Sequence, residues 1–334
     1  MTATQISYLI FGIVLVLALI FDLGLMSKKN TTVTIKKALF QTLFWVGLSM
    51  LFCGFLFFED GSTVAAKYFT AYLMEWSLSI DNIFVFILIF GFFSVTEKDS
   101  PRVLLIGILL AIVLRIAFIA LGIGLIERFH WILYFFGAFL IYTGYNLFFQ
   151  KEEEEFDPGK SKLYRFIQKY LRFSDVEPKG RFTIKNHGKV YFTRLSVVVL
   201  MLGAIDIVFA LDSIPTVVSL VREKATIPFT EKEILIIYSS NIFAVLGLRS
   251  LFFLLKGAVN KFGYLQQGIA IVLAFIGVKM LIEFFDVHIS IYISLIVILA
   301  CLAVSIWYSI YQNKKNPVQD EGAKEPERIS PPLN

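Results

Sequence analysis

Nine apolar stretches, each near the length of a membrane-spanning helix, leave this chain few choices of fold. They cover about residues 5–26, 38–58, 66–94, 104–126, 130–149, 195–220, 233–255, 264–284 and 289–311. A spanning helix needs about 20 apolar residues, so the pattern predicts an all-α polytopic transmembrane bundle of about nine spans. Hydrophobic residues make up 57% of the 334, more than a soluble domain of this size buries. The formal charge of +5 sits on Lys and Arg that flank the apolar runs. That fits the lipid bilayer as partner and argues against nucleic acid. The third stretch is long for a straight span, and a tilted or interfacial entry is expected there.

The connections alternate in basic content. Lys28, Lys29, Lys36 and Lys37 follow the first stretch, whereas the next connection holds Glu59, Asp60 and one Lys67. Lys256 and Lys261 follow the seventh stretch, Lys314 and Lys315 follow the ninth, and Glu283, Asp286 and His288 lie on the other side. Basic loops stay in the cytoplasm, so the expected topology is N-terminus outside, C-terminus inside. No Lys or Arg precedes the first stretch, which reads as a retained helix rather than a cleaved signal. The expected division is 1–64 (spans one and two), 65–150 (spans three to five), 151–193 (a cytoplasmic loop), 194–285 (spans six to eight), 286–312 (span nine) and 313–334 (a disordered tail). In the loop, Leu163, Phe166, Ile167, Tyr170 and Leu171 recur at helical spacing, as in an amphipathic surface helix. The segments from Arg181 and Val190 flank Lys-Asn-His-Gly-Lys, which reads as a hairpin.

Two of the apolar stretches carry acids at one spacing: Glu75…Asp81-Asn82 and Asp206…Asp212-Ser213. A carboxylate at membrane depth costs about 3 kcal/mol on insertion scales, so such residues usually have a function. Arg115 and Arg249 follow in the next span of each group, and GAFLIYTGYNLFF resembles AIVLAFIGVKMLIEFF in the span after. Spans three to five and six to eight thus read as two copies of one unit, and the charge alternation makes the copies inverted. Inverted repeats of this kind place a binding site at their interface, near the bilayer midplane.

On a helix, Glu75, Ser79 and Asn82 share a stripe, matched by Asp206, Ala210 and Ser213. Asp81 and Asp212 fall about 120° away. Either each helix serves two faces or it unwinds locally; Pro215 favours unwinding in the second copy. The candidate ligands Glu75, Asp81, Asn82, Asp206, Asp212 and Ser213 are all oxygen donors, which suit a hard divalent cation such as Mn²⁺, Mg²⁺ or Ca²⁺. The ion would be cargo rather than a resident cofactor, with protons as a plausible counter-ion. Arg115, Arg249 and Lys279 offer a competing account, in which the acids form structural ion pairs. Asn241 reads equally as an interhelical hydrogen bond and as a ligand. Cys53 and Cys301 stand alone, and no phosphate-binding loop, nucleophile elbow or zinc-protease motif is present. No enzymatic activity is expected.

The residues EWSLSIDNIFVF at 75–86, WILYFFGAFLIYTG at 131–144, DIVFALDSIP at 206–215, SSNIFAVLGLRSLFFLL at 239–255 and GVKMLIE at 277–283 resemble those of the TerC/Alx family of integral membrane proteins. The resemblance covers about Tyr68 to Phe285. It implies a multi-pass inner-membrane protein linked to manganese export, with the metal-site acids falling at Glu75, Asp81, Asp206 and Asp212. A membrane-embedded assembly or metalation partner, and a tellurite or redox stress protein, are the competing functions. Isolated cysteines and the lack of a cofactor motif weigh against the last.

Overall fold

The structure is a computed structural model that describes residues 3–26, 33–129, 131–149, 164–167, 180–186, 189–222, 228–256, 264–285, 287 and 289–315. Among these, nine helices of 18 residues or more follow the order of the nine apolar stretches: α1 (Ala3–Met26), α2 (Ile35–Asp60), α3 (Ser62–Phe92), α4 (Ser100–Arg128), α5 (Ile132–Phe149), α6 (Arg194–Val221), α7 (Glu231–Leu255), α8 (Leu265–Ile282) and α9 (Ile291–Lys315). The protein is a polytopic helical membrane protein. Eight of the helices, α2 to α9, are long and apolar enough to cross a bilayer, and the described side chains of α1 form a shorter apolar segment, Gln5–Ile20.

Local chemistry sets several boundaries. Thr34 caps α2 by accepting from the Lys37 amide. Thr230 and Glu233 close a capping box at the start of α7, satisfying amides that no helix carbonyl reaches. Gly61, at φ 91°, turns the chain from α2 straight into α3, a conformation that a side chain disfavours. The long third stretch forms one continuous helix of 31 residues. α6 is also continuous through Pro215, so the expected unwinding is absent.

α7 is the most enclosed of these helices, with 89% of its membrane-length window buried. Its neighbours pack crosswise. α3 lies mainly on α7, α4 mainly on α6, α5 on α8, and α3 also on α6. Large apolar side chains such as Leu51, Phe58 and Leu121 face outward, as expected for a surface solvated by lipid. A two-stranded antiparallel hairpin, β1 (Thr183–Asn186) with β2 (Lys189–Phe192), pairs Thr183 with Phe192 and Asn186 with Lys189. It borders the start of α6 and defines one end of the bundle. Of the expected amphipathic helix, residues 164–167 are helical; the rest of it, the tail from 316, and His130, His187 and His288 lie outside the described residues.

Candidate functional site

Four helices bring polar side chains to one point in the middle of the bundle. Arg115 lies about 22 Å along α4, Asp206 about 18 Å along α6 and Glu75 about 20 Å along α3, at about 1.5 Å per residue. Each of these helices runs 28 to 31 residues, so the three positions fall near mid-length. Arg115 grips Asp206 side-on, with Nε donating to Oδ2 at 3.0 Å and Nη2 to Oδ1 at 2.8 Å. Its Nη1 donates to Glu75 Oε2 at 2.6 Å and to Asn241 Oδ1, on α7, at 2.9 Å. All four residues are at most 2% exposed. Such short, forked, charge-assisted bonds are the strong class of hydrogen bond.

The sequence stripe is realised. Glu75, Ser79 and Asn82 are buried on α3, and Asp206, Ala210 and Ser213 are buried on α6. Among the described residues, three oxygens there have no hydrogen-bond partner: Glu75 Oε1, Ser79 Oγ and Ser213 Oγ. Ser213 faces the Glu75 carboxylate without closing a hydrogen bond to it. Among the described side chains of the cluster, two carboxylates stand against one guanidinium.

The other expected site residues are placed differently. Asp212 is partly buried on the α5 side of α6, where Thr143 Oγ1 donates to its Oδ1 at 3.3 Å. Its backbone carbonyl accepts from Thr216 Oγ1 at 2.7 Å. The Asp81 backbone is helical in α3, while its side chain lies outside the described residues. Asn241 makes the interhelical hydrogen bond, and its Nδ2 donates back to the Ile237 carbonyl at 3.2 Å. Arg249 is buried on the same helix, about 12 Å further along. Lys279 is remote from the cluster: its Nζ donates to the Ser219 carbonyl at 2.9 Å, near the C-terminus of α6, where a cation offsets the helix dipole. Among the described residues, no three of His, Cys, Asp or Glu come together at metal-binding range. Thr143 is the residue that sequence reading missed; its only signal was a hydroxyl within an apolar span.

Residues 60–317 match the family described as "Integral membrane protein TerC family". A protein of Rickettsia felis, named "Uncharacterized membrane protein", is 38% identical over 304 residues, covering 91% of this chain and 97% of its own. A Myxococcus xanthus membrane protein is 39% identical over 306 residues, covering 91% and 92%. An Escherichia coli K12 protein, named "Putative membrane-bound redox modulator Alx", is 37% identical over 321 residues, covering 93% and 96%. No solved structure matches significantly. The family match spans most of the chain and the relatives align almost end to end; the chain belongs to the TerC family of integral membrane proteins.

Proposed function

We propose that the chain is a secondary transporter that moves a hard divalent cation, Mn²⁺ in the first instance, out of the cytoplasm. The observation that carries this reading is the charge of the mid-bundle cluster. Among the described side chains of the cluster, Glu75 and Asp206 outweigh Arg115 by one negative charge, in a place that bulk water does not reach. An uncompensated buried charge costs several kcal/mol, so the cluster gains from an added cation or proton. Glu75 Oε1, Ser79 Oγ and Ser213 Oγ supply oxygens that no protein donor uses. Oxygen donors suit Mn²⁺, Mg²⁺ or Ca²⁺. The choice of Mn²⁺ and the outward direction come from the family resemblance. Asp81, Asn82 and Asp212 complete the proposed ion path.

Arg115 then serves as the cation of the unloaded state. An incoming ion takes Glu75 from Nη1, while Asp206 keeps its two bonds to Nε and Nη2. A proton on one carboxylate balances the cluster when no metal is present, which makes protons the natural counter-ion. The crosswise packing of α3 on α7 and α4 on α6, with α5 on α8, supports reading α3–α5 and α6–α8 as an inverted repeat. Lys36, Lys37, Arg102, Arg181, Arg194 and Lys256 gather at the hairpin end, which supports placing that end in the cytoplasm of the inner membrane.

The test is metal flux into proteoliposomes across a panel of divalent ions. Flux of Mn²⁺ above empty liposomes, lost in folded Glu75→Gln protein, supports the transporter. Parent protein that moves no divalent ion, with cellular function surviving Glu75→Gln, would favour the assembly partner instead.

A further inference from the structure

The stripe that carries Glu75, Ser79 and Asn82 continues toward the start of α3 as Tyr72 and Tyr68, in the same alternation of four and three residues. All five side chains are at most 4% exposed. The start of α3 lies at the end of the bundle away from the hairpin, so the tyrosines extend the polar line from the mid-bundle cluster toward that face. From Glu75 to Tyr68 it covers about 10 Å. On α2, Ser49 is buried against it. Its Oγ shares a hydrogen bond of 2.8 Å with Tyr68 Oη and faces Tyr72 Oη without closing a second. The two tyrosine rings lie parallel, 6.3 Å apart, and Phe52 packs edge-on against Tyr68 at 5.4 Å. One turn further out on α2, the half-buried Cys53 donates to the Ala65 carbonyl at 3.6 Å.

Among the described residues, Tyr72 Oη and Glu75 Oε1 both lack a hydrogen-bond partner. They stand one turn apart on one stripe. Buried polar atoms seldom stay unpaired, and a buried water that bonds about three of them is the usual remedy. A hydroxyl accepts and donates at once, as water does. A line of hydroxyls and single waters therefore passes a proton by trading O–H bonds. Each oxygen gains one and gives one up, and none keeps a charge. The same line is a poor route for a divalent cation. The groups that act on the two tyrosine hydroxyls are Ser49, Cys53 and, for Tyr68, Tyr72, with no carboxylate among them. A hard dication gives up its water mainly for carboxylates. An acid leading to the same face, Asp212, stands instead on the α5 side of α6.

We propose that Ser49, Tyr68 and Tyr72 line a water passage between the mid-bundle cluster and the membrane face away from the hairpin, and that it conducts protons while the metal ion travels past Asp212. The proton role rests on the cluster exchanging a cation for protons; the passage itself does not. None of its hydroxyls needs to ionise.

The water is read by X-ray radiolysis of the full-length parent protein in detergent, with oxidised side chains located by mass spectrometry. Water bound in the passage yields hydroxyl radicals where it stands. Tyr68 and Tyr72 should therefore gain oxygen, whereas Phe252, equally buried in an apolar core, should not. Tyrosines as unreactive as Phe252 overturn the passage. The proton is read by Mn²⁺ flux and proton counter-flux in proteoliposomes of Tyr72→Phe. The oxygen removed has no partner among the described residues, so this variant should unfold no earlier than the parent and bind Mn²⁺ with the parent's affinity. Both fluxes should fall at least about tenfold, the worth of one lost hydrogen-bonded station. Parent-rate flux overturns the proton role; weakened Mn²⁺ binding overturns it too, by making Tyr72 a ligand of the metal. Parent protein that moves no divalent ion fails the transporter reading alone, and oxidation of Tyr68 and Tyr72 still decides the passage.

Discussion

Arg115 joins four helices through one side chain, and its fork is what makes that possible. Lysine carries the same charge but no planar pair of donors, so Arg115→Lys keeps one contact at a time and lowers the unfolding midpoint in detergent. Arg115→Gln strands two buried carboxylates and costs about 3–5 kcal/mol. Adding Asp206→Asn to Arg115→Gln should recover part of that loss, read by chemical unfolding of all three variants. A double variant no better folded than Arg115→Gln would show that Asp206 is not what Arg115 neutralises. Asp212 predicts the opposite pattern. It is partly buried and takes one side-chain bond from Thr143, which an amide oxygen accepts as well. Asp212→Asn should therefore fold like the parent while Mn²⁺ flux drops to background; parent-rate flux would remove Asp212 from the path. The sequence made the stripe Glu75, Ser79, Asn82 legible, because helical periodicity is local. Periodicity says which face a residue occupies and not which neighbour it meets. That Arg115 reaches across to Asp206 in the other half is a product of packing, and spacing alone cannot carry it.

Among the elements, α5 and α8 approach most closely. A Cβ on Gly144 would sit 2.7 Å from the Ala270 carbonyl, and one on Gly277 would sit 2.5 Å from the Gly137 carbonyl. Small residues at such a crossing let backbones meet where no water drives them together. Gly144→Ala should push α5 off α8 and cost about 1–3 kcal/mol. Gly124→Ala, with nothing within 4 Å of its added carbon, should be neutral or gain up to about 1 kcal/mol as a helix-interior glycine. Comparing the two unfolding midpoints checks the contact, since equal shifts would exclude it. The unwinding that Pro215 favoured shows where element-level reading failed: α6 is continuous through it. A proline removes one amide and crowds one turn, but α6 is buried along most of its length and the Thr216 hydroxyl adds a bond to the Asp212 carbonyl. Tight neighbours and that extra bond keep the helix whole where an isolated one would bend.

For the whole molecule, the span pattern was legible because each apolar run is as long as the bilayer is thick. Orientation rests on charge, so it carries its own prediction. In a Cys53→Ala, Cys301→Ala background, Lys185→Cys in the exposed part of β1 should react with an impermeant thiol reagent only after cells are opened. Labelling of intact cells would reverse the topology. The hairpin itself is firmly anchored. Arg102 donates to the Gly180 carbonyl at 3.1 Å and stacks on Phe182. Thr193 Oγ1 donates to the Arg181 carbonyl at 2.7 Å, and Ser196 to that of Phe182. These ties bind the feet of α4 and α6 into one block, the block that holds the Arg115–Asp206 pair. Glu75 and Asn241 ride on the other block, α3 with α7. α3 also packs on α6, but the hydrogen bonds of the cluster that join the two blocks both leave from a single nitrogen, Arg115 Nη1. A hinge there would open by releasing the two bonds of that atom and nothing else in the cluster, like a latch with its pin on one leaf and its catch on the other.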